Sequence, residues 1–285
     1  MIIDSHAHIF SSKIIANVSA KSALVKKINL HTSFAEGRTN IPALEEDCRL
    51  SDVDACLILP TANVADVRKI NSAFIDLADE SDFLFTAGTL HPFSNDNEKE
   101  LSHLQARGVR AIKLCSFSQG FSLSAPETLD LFKLIEALNV SRNGKFFVIL
   151  DTFSLAHEYF GTPLLHTTTP SLLENIVRKY PGIDFVAAHM GGLAAPPEEL
   201  FTHLIPSKNL FLDTSNAAHI LSEMDFLRLL EIHGPEHILF GTDWPWFDHK
   251  EEINIITRLL DLAGYNSEEK EKVFHRNIAN LLGIV

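Results

Sequence analysis

Ile2-Ile3-Asp4-Ser5-His6-Ala7-His8 is an apolar run that gives way to alternation, the pattern of a short strand whose side chains repeat every second residue. On such a strand His6 and His8 share a face about 7 Å apart, within reach of one metal ion. Asp4 is expected on that face too, one step deeper. A satisfied pair of core or surface histidines would look the same, so the pair takes its weight from what the rest of the chain places beside it.

Seven further β-rich apolar runs come after it, each ending in polar residues: 55–60, 83–91, 109–115, 146–151, 184–189, 209–214 and 237–243. Helical patterns separate them, among them 63–79, 126–138, 170–180 and 224–233. Continuous apolar strands alternating with helices predict a buried parallel sheet, and eight such units predict a (β/α)8 barrel. An open doubly wound sheet fits less well, because no Gly-rich phosphate turn comes after the first strand. No linker or repeat interrupts the pattern, so one domain over 1–285 is expected, with a lid insertion at 11–40. That insertion carries Lys13, Lys21, Lys26, Lys27 and Arg38 against a single acid, Glu36. It reads either as a solvated helix and loop or as a cover that attracts anions.

The 285 residues, 46% hydrophobic and 21% charged, have the balance of a globular enzyme. A net charge of −13 argues against nucleic acid and anionic membrane surfaces as partners. Three cysteines form no disulfide framework, so a reducing cytoplasm is expected. No signal peptide is expected, since Asp4, His6 and His8 stand where one would be apolar, and no run approaches eighteen apolar residues. The expected partner is a small-molecule substrate, and a homodimer is compatible with the chain.

In a barrel the chemistry gathers at the C-terminal ends of the strands. Here those ends carry His6 and His8, His91, Lys113 and Cys115, Asp151, His189 and Asp243. Lys113 interrupts an apolar strand, where an ammonium needs a partner such as a substrate carboxylate or a neighbouring aspartate. His189 precedes Met190 and two glycines, which let backbone approach a ligand. Asp243 ends an apolar run beside Trp244 and Trp246, and a metal or a histidine partner would explain its burial. His91, with Pro92 after it, reads as a substrate contact or a capped turn, and Trp244 as part of the substrate wall. His157 and His166, after the fifth strand, are close enough in sequence to reach the mouth.

Taken together, Asp4-Ser5-His6-Ala7-His8, Leu90-His91-Pro92, Ile112-Lys113-Leu114, Ala188-His189-Met190-Gly191-Gly192, Leu212-Asp213-Thr214-Ser215, Phe240-Gly241-Thr242-Asp243 and Asn277-Ile278-Ala279-Asn280-Leu281-Leu282-Gly283 resemble the amidohydrolase superfamily. The resemblance is to its amidohydrolase-related branch, which includes aminocarboxymuconate-semialdehyde decarboxylase. It implies one divalent metal, zinc first and manganese as competitor. His6 and His8 would be ligands, Asp243 a ligand or proton carrier, and His189 a base or electrophilic helper. Where that family ends its fifth strand with a histidine ligand, this chain has Asp151, which enters the expected ligand set in its place. The expected activity is hydrolysis of a small carboxylated or cyclic substrate such as a lactone or amide. The alternatives are non-oxidative decarboxylation of an unsaturated or aromatic acid, and an inactive barrel with a binding or structural role.

Overall fold

A computed structural model describes residues 1–141 and 145–284. Its strands are β1 (Ile3–Ala7), β2 (Ala55–Ile58), β3 (Leu84–Thr86), β4 (Gly88–Thr89), β5 (Ala111–Leu114), β6 (Phe147–Leu150), β7 (Asp184–Ala187), β8 (Leu210–Asp213) and β9 (Ile238–Leu239). All pair in parallel with their sequence neighbours, β1-β2-β3 in one run and β4 through β9 in another. β3 and β4 are successive pieces of one stave, parted only by Ala87, whose N–H still bonds the Ile58 carbonyl. The last stave returns to the first: Ser5 N–H donates to Phe240 O (2.9 Å), Asp243 N–H to His6 O (2.9 Å) and His8 N–H to Trp244 O (2.7 Å). Eight staves therefore close into the expected (β/α)8 barrel, with helices on the outside.

The helices start where local chemistry allows. Asn40 accepts from Ala43 N–H ahead of Ile41–Leu50, and Thr169 accepts from Leu172 N–H ahead of Pro170–Lys179, each with a proline in the first turn. The barrel interior is packed by Ile3, Leu57, Ala111, Phe147, Val186 and Leu239, and the C-terminal helix plugs it from below with Ile278 and Leu282. Chemistry is thereby confined to the upper end. Among the described residues, no helix is long and apolar enough to cross a membrane.

β1 departs from simple alternation. Ile3 pairs with Ala55, Asp4 with Cys56 and Ala7 with Ile58, so Ser5 and His6 together oppose Leu57. This is a bulge, and it reverses the facing of the residues beyond it. Ile3 joins the barrel interior, whereas Cys56, Ala7 and Ile58 belong to the outer layer. Asp4 therefore faces outward and His6 and His8 inward. The expectation that Asp4 shares the histidines' face is corrected: its Oδ1 accepts His6 N–H (2.9 Å), bracing the bulge.

The insertion at 11–40 folds as short helices, Ser12–Ser19, Ser22–Lys27 and Thr32–Ala35. Ile15, Leu24, Ile28 and Leu30 pack with Phe153, Leu193, Trp246 and Phe247 over the barrel mouth, while Lys13, Lys21, Lys26 and Lys27 are exposed. The surface turned toward the mouth is apolar. None of the basic residues that suggested an anion-attracting cover belongs to that surface.

Candidate metal centre

His6 and His8 project from β1 into the upper barrel, their Nε2 atoms 3.0 Å apart. Each ring is fixed through its other nitrogen: His6 Nδ1 lies 2.9 Å from Asp213 Oδ2, and His8 Nδ1 lies 3.0 Å from Leu59 O. A carbonyl and a carboxylate can only accept, so both Nδ1 atoms carry the proton and both Nε2 lone pairs point at one spot. Burial lowers the pKa of both imidazoles, that of His8 well below the usual value, which keeps them neutral. Two converging lone pairs repel unless a cation lies between them. Asp243 Oδ1 completes the triplet, 3.8 Å from His6 Nε2 and 3.5 Å from His8 Nε2. These donors suit a divalent ion, and the Nδ1 carboxylate on His6 is the orienting partner such ligands use.

The backbone is bent to make this possible. Asp243 (φ 66°) and His189 (φ 57°) both sit in the left-handed region, which costs a non-glycine residue about 1–2 kcal/mol. Asp243 N–H is held by His6 O, and His189 N–H by Asp213 Oδ1 (2.9 Å). Gly241 is required beside them, because a Cβ there would lie 2.9 Å from His6 Cβ.

Asp151, expected in the ligand set, stands apart from the triplet. Its Oδ2 is 3.7 Å from Lys113 Nζ and 3.9 Å from His189 Nε2. Burial would raise its pKa, but Lys113 and His189 outweigh that and hold the carboxyl well below its ordinary value. Lys113 is 1% exposed and its Nζ makes no hydrogen bond among the described residues. His189 turns Nδ1 to Ser215 O (3.0 Å) and Ser215 Oγ (2.8 Å). Burial alone would lower its pKa, but Asp151, Asp243 and Asp213 raise it to about 9. Asp243 moves up as well, to about 7, through burial and the charges of Asp151 and Asp213, opposed by His189 and Lys113.

These groups open onto a cavity of about 260 Å³ whose wall is mainly apolar and aromatic, including Phe10, Phe117, Phe153, Phe160 and Trp246. Phe117 stacks on Phe160 with centroids 5.0 Å apart. Two expected substrate contacts do not reach this space. His91 spends Nε2 on Gln119 O (2.9 Å) and Nδ1 on Phe93 N–H (3.3 Å), so it shapes its own loop. Trp244 bridges Ala7 on the outward side and is fully buried in the outer layer, and Trp246, two residues on, reaches the cavity instead. His157 and His166 are half-buried, beside Thr167 and Thr162, and do not line the cavity. The aromatic wall and the orienting role of Asp213 have no separate signal in the sequence.

The amidohydrolase family profile matches residues 3–284. The chain belongs to the amidohydrolase family. No curated protein matches it, and similar solved structures are distant in sequence. An amidohydrolase from Burkholderia multivorans with bound zinc shares 12% identity at TM-score 0.72, covering 99% of each chain. A 5-carboxyvanillate decarboxylase from Novosphingobium aromaticivorans, complexed with manganese and a nitrobenzoic acid, shares 15% at TM-score 0.67, covering 99% of this chain and 96% of that one. A probable 2-pyrone-4,6-dicarboxylic acid hydrolase from Acinetobacter baumannii with citric acid bound shares 16% at TM-score 0.64, covering 99% of each. For this amidohydrolase such likeness shows the fold; its chemistry must come from its own site.

Proposed function

We propose that this protein is a metal-dependent hydrolase of a small cyclic ester or amide carrying a carboxylate on an apolar or aromatic ring. The observation that carries this reading is the pair of converging Nε2 atoms, 3.0 Å apart, with Asp243 beside them. Two neutral imidazoles and one carboxylate leave a divalent ion with a net charge of +1. Such an ion, zinc before manganese, supplies Lewis acidity that polarises a carbonyl and acidifies water.

The chain's own groups do the rest. Lys113, buried without a hydrogen-bond partner, binds the substrate carboxylate, and Asp151 offsets its charge when the cavity is empty. The aromatic wall holds the ring and excludes bulk water. Asp243, beside the position such an ion would take, can accept a proton from the attacking water and return it to the leaving oxygen or nitrogen. His189 Nε2–H donates to the oxygen on which charge develops.

The aromatic lining also favours a second reading, decarboxylation of an aromatic acid, in which Asp243 or His189 would protonate the ring carbon. Zinc-loaded protein offered lactones, cyclic amides and hydroxybenzoic acids should open a ring without releasing carbon dioxide, with one acid equivalent freed from a lactone and none from a cyclic amide, whose amine takes up the proton. Carbon dioxide as the product would replace the hydrolase reading with the second. A loaded protein inert toward every member would leave a binding barrel. Lys113→Met should raise KM roughly 10- to 150-fold with a smaller change in kcat, the worth of one charge-assisted hydrogen bond.

A further inference from the structure

The outer face of β1 carries a second convergence of donors, sealed off from the cavity. Asp4 comes from β1, Cys48 from the helix Ile41–Leu50, Cys56 from β2 and His249 from the start of the helix His249–Leu262. The two Sγ atoms are 3.2 Å apart, and His249 Nε2 lies 3.7 Å from Cys56 Sγ, 4.0 Å from Cys48 Sγ and 3.1 Å from Asp4 Oδ2. None of the four is more than 2% exposed.

We propose that these four side chains form a structural zinc site, separate from the catalytic centre. A tetrahedral zinc with bonds of about 2.3 Å to sulfur and about 2.0 Å to nitrogen or oxygen holds its donors roughly 3.3–3.8 Å apart. The separations among the two sulfurs and His249 Nε2 bracket that range, and a turn of the Asp4 carboxylate, already beside Nε2, toward the sulfurs would close the site. The histidine is oriented for it: Nδ1 lies 2.6 Å from Asp47 Oδ2, which holds a proton on Nδ1, while Nε2 shares a proton with Asp4 Oδ2 that the metal would displace. Asp4 is held by the Thr242 hydroxyl, which donates to Oδ2 at 2.6 Å.

Two thiolates select zinc over magnesium, calcium and manganese. Two thiolates, a carboxylate and a neutral imidazole give the ion a formal charge of −1, that of a Cys3His site. With four protein donors and no cavity, no position is left for substrate, which makes the role structural. Loading releases the two thiol protons, and any proton on Nε2, to solvent. The bound ion would tie together three distant stretches of the chain, at residue 4, residues 48 and 56, and residue 249.

Cobalt reads this site directly, because thiolate bound to Co²⁺ gives a charge-transfer band in the near ultraviolet and the proposed catalytic donors hold no sulfur. The protein is produced in zinc-depleted medium with cobalt, so that the site loads as the chain folds. Wild type should show the band. The His6→Ala/His8→Ala variant should keep it with one equivalent of cobalt, and Cys115→Ser should keep it too, whereas Cys56→Ser should lose it. Cobalt-loaded wild type without the band would overturn the proposal, even if Cys56→Ser fails to fold. So would a band that disappears with His6 and His8 or with Cys115. Since the band is independent of turnover, failure of the hydrolase reading would leave this result standing.

Discussion

β1 serves two polar clusters that share a design and differ in access. On the inner face, His6 has a carboxylate at Nδ1, Asp213, and a neighbouring imidazole at Nε2. On the outer face, His249 has a carboxylate at Nδ1, Asp47, and two sulfurs with Asp4 around Nε2. The inner cluster opens on an aromatic-walled cavity, and the outer one is sealed between strands and helices. The same histidine–carboxylate unit thus becomes a place for substrate or a fixed joint according to whether a fourth donor closes it. Donor softness separates the two further, with oxygen and nitrogen inside and sulfur outside.

The largest expected effect tests whether the open face does the chemistry. Asp243→Asn keeps the shape and one coordinating oxygen but accepts no proton near neutrality. Turnover of metal-loaded protein should fall by about 10²–10⁴-fold, with a smaller change in KM. A variant within threefold of wild type would reduce Asp243 to a ligand. Next come the paired carboxylates. Asp213→Asn should weaken inner metal binding by roughly 10- to 100-fold and leave the cobalt–thiolate band intact, and Asp47→Asn should do the reverse. Competition against a chelator, monitored by absorption, reads both. Equal losses at both sites in either variant would mean that the two faces are one coupled unit.

The last effect comes from a buried histidine outside both clusters, which calibrates what burial alone does. His233 has a pKa lowered to about 4, by burial first and then by nearby His237. Below pH 6.5 the unfolded chain takes up the proton first, so the stabilisation present above 6.5 is lost as pH falls toward 4. Chemical denaturation across that interval should show wild type losing on the order of 2–3 kcal/mol more than His233→Gln. Parallel curves for the two proteins would show that this histidine is not desolvated as placed.

The alternation of strands and helices is legible in the sequence because it is periodic: each stave has its own apolar run. The His6–His8 pair, Asp243 and buried Lys113 stand out because each is a costly residue at a strand end. Asp4 falls on the wrong face by parity alone, because strand parity holds only without a bulge, and the bulge depends on pairing with β2. Trp244 and Trp246 part company in a turn of backbone after a left-handed aspartate, which composition does not reveal. In the insertion at 11–40 the lysines draw the eye, although the apolar residues between them turn toward the cavity. The outer cluster is invisible in the sequence because its donors come from four separate segments, and no short spacing announces it.

The bulge makes β1 unequal in its response to length changes. Ser5 and His6 share one partner position, so the strand holds one residue beyond strict pairing. Removing Ser5 would restore simple alternation with Asp4 still outward and both histidines still inward. Adding a residue at the same point would also restore alternation with both imidazoles inward, but it would carry them two positions, about 6.6 Å, further along the strand while leaving Asp4 where it is. Deletion and insertion, equal in size, therefore share their facing and differ in level: the first keeps the histidines at the height of Asp243, and the second lifts them away from it while sparing the Asp4 contribution to the closed centre.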